Sequence, residues 1–371
     1  MAIKVLGLVD CFNIPEFGPM TKHRSIASTS FLGRYAFVDF VLSNFLNSGI
    51  SSIGILCQNH IRSLSRHVGS GRTWITNTKI GDFHVLYDEP NVANSSYNTD
   101  VADLIENRWF LKQINPDYVI ICSPHMVFQE DFSQLLADHI ASNSRISLLY
   151  AHVTGLKHSF INAKRVYISD RGKVTKFELN RGENDEGDVS LETMIMDYSM
   201  LENLIEYASG TSSFFSLVDA LNYISPSVLI RAVKHNGYVR CFDSLSHYLN
   251  YSLELLDENV HNDLFKENWP IYTKTYDTPP TLYKPSALVK NSTIANGSII
   301  EGTVINSIIG RDVKVGKGAV IKNSVIGSGA VIDVNTHIEN AIVDKEAQVL
   351  HVLDVKGTLD DPLYIARGDI V

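Results

Sequence analysis

Two neighbouring stretches near the start of the chain carry side chains whose types could do chemistry. Lys22-His23-Arg24 gathers cationic and titratable groups of the kind that hold an anion, although the run also reads as a solvated turn. Just before it, Ile3-Lys4-Val5-Leu6-Gly7-Leu8-Val9 reads as a buried strand leading into Asp10-Cys11-Phe12-Asn13-Ile14-Pro15-Glu16. After such a strand, a phosphate-binding α/β protein places a Gly-rich turn whose backbone N–H groups cradle the ligand. Here no glycine occurs until Gly18, and the turn is bulky and acidic. Cys11, Cys57, Cys122 and Cys241 are far apart and form no Cys-x-x-Cys, which predicts reduced core cysteines. His60, Arg62, Arg66, His67 and Arg72 are basic, but the helical spacing along Ile61 to Val68 predicts a surface face. His125 and His139 lack a metal-ligand pattern and read as structural.

The elements that must position these residues come from an ordinary globular composition. The chain has 371 residues, 44% of them hydrophobic and 20% charged. A net charge of −9 argues against a general nucleic-acid footprint and leaves room for a local basic patch. No apolar run approaches the ~18 residues of a membrane span, and the start is too short for a signal peptide. The expectation is a cytoplasmic protein. From Ile3 to about Asn250 strands and helices alternate: a helix over Phe37 to Leu46, a strand over Ile53 to Cys57, a helix over Val101 to Ile114. Then come a strand over Tyr118 to Cys122, a helix over Phe132 to Ala141, a strand over Ile146 to Ala151 and a hairpin over Val166 to Val174. Arg181 to Gly187 reads as a solvated loop. The alternation predicts a mostly parallel sheet covered on both faces by helices. The predicted organisation is an α/β domain over 1–272, a Pro-marked linker over 273–285 and a repeat domain over 286–371.

In the repeat domain aliphatic residues recur at Ile309, Val315 and Ile321, at Ile326, Ile332 and Ile338, and at Val343 and Val349. The steps of 6, 6 and 5 close a turn every 17 residues. Asn306, Asn323 and Asn340 keep that period, as do Ser307, Ser324 and Ala341, and Gly310 and Gly327. This is the signature of a triangular parallel β-helix, with aliphatics stacked inward and Asn and Gly at corners of positive φ.

Phe31-Leu32-Gly33-Arg34-Tyr35-Ala36-Phe37-Val38-Asp39-Phe40-Val41-Leu42-Ser43-Asn44-Phe45-Leu46-Asn47-Ser48-Gly49-Ile50 closely resembles the ADP-glucose pyrophosphorylase (glucose-1-phosphate adenylyltransferase) family. That family's pattern is F-G-G-x-[YF]-R-x-I-D-F-x-L-S-N-x-x-N-S-G-I. Asn268-Trp269-Pro270-Ile271 through Pro279-Pro280 resembles its linker. The resemblance covers nearly the whole chain. It implies a Rossmann-like nucleotidyltransferase domain followed by a left-handed β-helix, working as a tetramer in glycogen synthesis. It also implies where the catalytic parts should lie. The phosphate-loop glycines fall on Cys11, Phe12 and Ile14, and the loop arginine falls on Glu16. A loop lysine falls on Ile26, a metal aspartate on Pro124, the sugar-phosphate lysine on Asn180 and the second metal aspartate on Cys241. Asp243, two residues on, lies on the same face of the strand and is the one substitute ligand available.

Side chains at the loop glycines block close backbone approach, and a glutamate in place of arginine repels phosphate. The pattern therefore matches the family's non-catalytic, regulatory subunit, with no catalytic residues and no metal expected. Mg²⁺ enters only if residual transfer activity exists. The expected partner is the catalytic subunit of glucose-1-phosphate adenylyltransferase in a homo- or hetero-oligomer, with no nucleic acid and no membrane. Lys22, His23, Arg24 and Lys345 are the candidates for a sugar-phosphate or other anionic effector. Two alternatives stand beside this reading. One is a weakly active adenylyltransferase making ADP-glucose from ATP and glucose 1-phosphate. The other is a hexapeptide-repeat acyltransferase, for which only His337 and His351 are available.

Overall fold

β1 (Val5–Asp10) is almost wholly apolar because it is central: it pairs in parallel with a strand on each side. The computed structural model describes residues 3–12, 17–75, 81–87 and 99–371. After β1 come a short hairpin, β2 (Ser30–Phe31) and β3 (Tyr35–Ala36), helix α1 (Phe37–Asn47), β4 (Ser52–Leu56), α2 (Ile61–Val68) and β5 (Phe83–Leu86). Next are α3 (Asp100–Glu106), α4 (Arg108–Ile114), β6 (Tyr118–Cys122), β7 (Met126–Phe128), α5 (Phe132–Ala141) and β8 (Ile146–Thr154). They are followed by β9 (Lys164–Ile168), β10 (Val174–Leu179), β11 (Glu186–Asp197), α6 (Tyr198–Thr211), α7 (Leu217–Ile224), β12 (Ile230–Lys234) and β13 (Val239–Cys241). Helices α8 (Leu245–Glu254) and α9 (Glu258–Leu264) precede the repeats.

The main sheet runs β10-β9-β11-β6-β1-β4-β5, with β8 joining β11 to β12. Its β6-β1-β4-β5 half is parallel, as the alternation predicts. The other half is mixed, because the twelve-residue β11 runs antiparallel to both β6 and β8. A bulge between Ser190 and Thr193 interrupts its side-chain alternation, which is why the strand does not show as a periodic run. The single helix expected over 101–114 is two helices. They break at Asn107, whose side-chain amide donates to Asp103 O at 2.9 Å and competes with the helical ladder. The segment over 181–187 ends inside β11.

The Ser43-Asn44-x-x-Asn47-Ser48 motif of α1 is a fastening. The Asn44 amide donates to Phe128 O (3.1 Å), and its carbonyl accepts from the Trp269 indole (2.9 Å). Ser43 Oγ accepts from Tyr272 N (2.8 Å), Asn47 donates to Pro270 O (3.0 Å), and Ser48 Oγ accepts from Phe132 N (2.9 Å). One helix face thereby anchors the start of α5 and the segment Asn268–Tyr272. Gly7 lets β1 approach α1: a Cβ there would sit 2.9 Å from the Phe45 ring.

The chain folds as two compact units. One comprises Met1–Pro15, Val38–Cys241 and Asn268–Tyr272; the other comprises Glu16–Phe37, Phe242–Glu267 and Thr273–Val371. The unit that holds the repeats thus also draws in the β2–β3 hairpin and helices α8 and α9, where Phe31, Phe37, Phe242 and Tyr248 form an aromatic cluster. Its coils form three five-stranded parallel sheets, beginning with Leu282–Tyr283, as a left-handed parallel β-helix.

Ile309, Ile321, Ile326, Ile332, Ile338 and Val343 stack in its buried core. Asn306, Asn323 and Asn340 have φ of 47°, 45° and 50°. Asn291 donates to Asn306, and Asn306 to Asn323, at 2.9 and 2.7 Å. The serine column does the same job inside: Ser292, Ser307 and Ser324 Oγ each accept from the N–H one coil later at 3.1 Å. Gly310 and Gly327 are present for a different reason from positive φ. A Cβ would come within 2.7 Å of Ser328 N and 2.6 Å of Lys345 N on the next coil. Ile326 is fully buried, so Ile326→Ala should lower stability by about 3 kcal/mol, read from urea denaturation.

Candidate functional site

In the first unit, β6 and β4 flank β1 on opposite sides. Ligands of open α/β sheets bind outside the carboxyl ends of strands at such a reversal. Asp10 ends β1 there, with Cys11 and Phe12 following it, and Ser123, Pro124 and His125 follow β6. Phe12 is buried, filling space with its ring. The Asp10 carboxylate accepts the Phe12 N–H at 2.8 Å. Burial, and then the negative field of Asp100, raise the Asp10 carboxyl well above its usual range. Asp100 itself is raised to about 6, chiefly by burial; the Leu217 and Val101 N–H groups and Lys164 pull it back, while Asp219 pushes it up. Glu192, at a left-handed φ of 49°, adds further negative field to Asp10 and reaches His125 Nδ1 at 3.7 Å. His125 is buried and shares a 2.8 Å hydrogen bond with Ser123 Oγ, while buried His139 meets Ser147 at the same distance.

The expected degenerate positions fall as follows. Ile14 and Glu16 lie outside the described residues. Ile26 is a buried residue of a short 3₁₀ turn capped by Ser25. Pro124 is buried and offers no side-chain donor atom. Asn180 is buried and wholly occupied: its amide donates to Leu156 O (2.9 Å) and Ser159 O (3.0 Å), and its carbonyl accepts from Gly182 N (3.1 Å). Cys241 is buried in β13, opposite Met126. Asp243 pairs with the His247 ring. A proline and a buried strand thiol at the two positions where the resemblance implies metal carboxylates do not fit Mg²⁺, and no step through the metal follows from these residues. Among the basic residues placed on a solvated face, His67 departs: its Nε2 lies 2.6 Å from the buried Asp39 carboxylate.

The second unit brings Arg24 and Lys345 together. Arg24 is buried and makes a forked ion pair with Asp344, one arm at 3.0 Å, and Tyr364 donates to the same carboxylate at 2.6 Å. Burial, followed by the field of Arg24, lowers the half-buried Lys345 amine to about 8. Arg367 adds to that positive field while pairing with Glu346 at 2.9 Å. Lys22 and His23 are exposed, unlike buried Arg24. Asp344 and Tyr364 are the residues that sequence reasoning missed. The one available signal was a carboxylate directly before Lys345. An incoming anion finds Lys345 available, but it must compete with Asp344 for Arg24.

The comparisons with known proteins agree with this architecture. Residues 17–177 match the nucleotidyl transferase family and 283–358 the GlmU-like C-terminal hexapeptide family. The fold is therefore that of a nucleotidyltransferase domain joined to a hexapeptide β-helix. The chain is 33% identical to the glycogen biosynthesis protein GlgD of Geobacillus stearothermophilus, covering 99% of this chain and 97% of that one. It is 30% identical to GlgD of Bacillus subtilis (94% and 91% covered) and 31% identical to a glucose-1-phosphate adenylyltransferase of Mycoplasma mobile (82% and 80% covered). The chain belongs to the family of GlgD and glucose-1-phosphate adenylyltransferase.

The buried charges have measurable consequences. Removing one partner of a buried ion pair strands the other, so Arg24→Ala should cost about 3–5 kcal/mol in urea denaturation. The double change R24M/D344L should recover most of that loss. Because Asp100 is raised on folding, the native state holds its proton over pH 4–6 while the unfolded chain loses it. Stability from this group is thus greatest below pH 4 and falls by up to about 3 kcal/mol as pH rises through 6. Asp100→Asn should flatten that part of the stability–pH curve, leaving the slope that belongs to Asp10.

Proposed function

We propose that this chain is a regulatory, non-catalytic subunit of a cytoplasmic glucose-1-phosphate adenylyltransferase assembly in glycogen biosynthesis. The observation that carries the reading is the end of β1. Where a triphosphate needs a backbone cradle and cations, the chain places the Cys11 and Phe12 side chains beside half-buried Asp10 and buried Asp100. Losing one transition-state contact typically slows a reaction by roughly 10² to 10³. Here the changes coincide with Asn180 spent on loop carbonyls and with Pro124 and Cys241 at the metal positions.

The regulatory role follows from what the scaffold keeps: a catalytic subunit is the partner, and this chain shifts its activity or effector response. Lys345 beside Arg24 is the anion site we assign to a sugar phosphate or related effector, with Asp344 as the internal competitor. No Mg²⁺ is required for this role. Purified protein should form ADP-glucose at least 100-fold more slowly than the catalytic subunit; a rate within that margin would overturn the proposal. Mixing the two should give a complex with an altered synthesis rate or effector response. Lys345→Gln should leave complex formation intact and weaken the effector response several-fold.

A further inference from the structure

Cys11 and Cys57 each directly follow one of two paired parallel strands. β1 ends at Asp10 and β4 at Leu56, and these two residues are opposite in the register. The ladder continues a step further, with Cys11 N donating to Leu56 O at 3.1 Å, so the two cysteines face each other across the strand ends. Neighbouring strands lie about 4.8 Å apart, inside the roughly 4.4–6.8 Å Cα separation that a disulfide spans. Each thiol perturbs the other's acidity, and Cys57 Sγ donates to Asn59 O at 3.1 Å. Cys11 is partly exposed and Cys57 buried, so one sulfur can be reached from solvent with the second directly behind it. Cys122 and Cys241 are both buried and lie opposite Val9 and Met126 in their ladders.

We propose that Cys11 and Cys57 form an intrachain disulfide when the folded protein meets a peroxide. The thiolate of the pair attacks a peroxide oxygen and the O–O bond breaks. Hydroxide leaves, takes a proton and becomes water, and a sulfenic acid remains. The second sulfur then attacks the sulfenic sulfur. The S–S bond forms, the S–O bond breaks, and a second water departs with the thiol proton. Two thiols are oxidised by two electrons in all, and one hydrogen peroxide is reduced to two waters. Access places the first step on Cys11, and the lowered Cys57 thiol favours the second, in which Cys57 is the attacking sulfur.

The test is peptide mapping of the folded protein after hydrogen peroxide treatment and alkylation. The expected result is a Cys11–Cys57 linked peptide and loss of two of the four thiols per chain, both reversed by dithiothreitol. Cys122 and Cys241 should remain reduced. In Cys57→Ser, Cys11 should be trapped by dimedone as a sulfenic acid. Sulfinic Cys11 with no link, an interchain Cys11 dimer, or no thiol loss at peroxide levels that oxidise a free cysteine peptide would each overturn the proposal. The wild-type map alone decides it if the variant does not fold.

Discussion

A charge taken out of water must be answered by an opposite charge, by hydrogen bonds or by a proton, and both regions of interest are organised by that constraint. In the repeat-bearing unit, the Arg24 guanidinium is answered by the Asp344 carboxylate, which Tyr364 also holds. Lys345, half-buried beside the same guanidinium, responds by giving up its proton more easily. At the end of β1 Asp10 faces a second carboxylate, and its carboxyl holds its proton to a higher pH than usual. One unit therefore stores a neutralised pair beside an available amine. The other stores raised carboxyl groups and, among the described residues at the end of β1, no cation for a polyphosphate.

Legibility in the sequence tracked the range of the interaction. The β-helix was readable because each coil repeats its neighbour: the Asn306–Asn323 bond joins residues 17 apart, and the spacing shows as a column of letters. Helix α1 was readable because its polar residues form one compact motif. The partner of Arg24 was not readable, since Asp344 lies 320 residues away and no local pattern links them. Strand β11 was hidden by its bulge, and the break at Asn107 by side-chain competition inside an otherwise helical period. The corner glycines were placed correctly and explained wrongly: Gly310 and Gly327 answer to the backbone of the next coil rather than to φ.

What persists and what has changed also separate by physical role. Ser43, Asn44, Asn47 and Ser48 hold elements together, and each still makes its bond. Positions where the family resemblance implies nucleotide or metal contacts serve internal duty here. Asn180 ties Leu156, Ser159 and Phe160 of one loop, Ile26 fills a core, and Cys241 packs in a strand. Such replacements stabilise the fold where catalytic groups commonly strain it.

The stacked asparagine and serine columns also make the repeat domain a ruler. Each coil adds one strand spacing, about 4.8 Å, to the length of the prism while presenting the same three faces. Gain or loss of one coil would move whatever is fixed to its far end by that fixed increment, with no intermediate setting. Length in this domain is counted in whole coils, and the hydrogen bonds running from Asn to Asn and Ser to Ser mark the divisions.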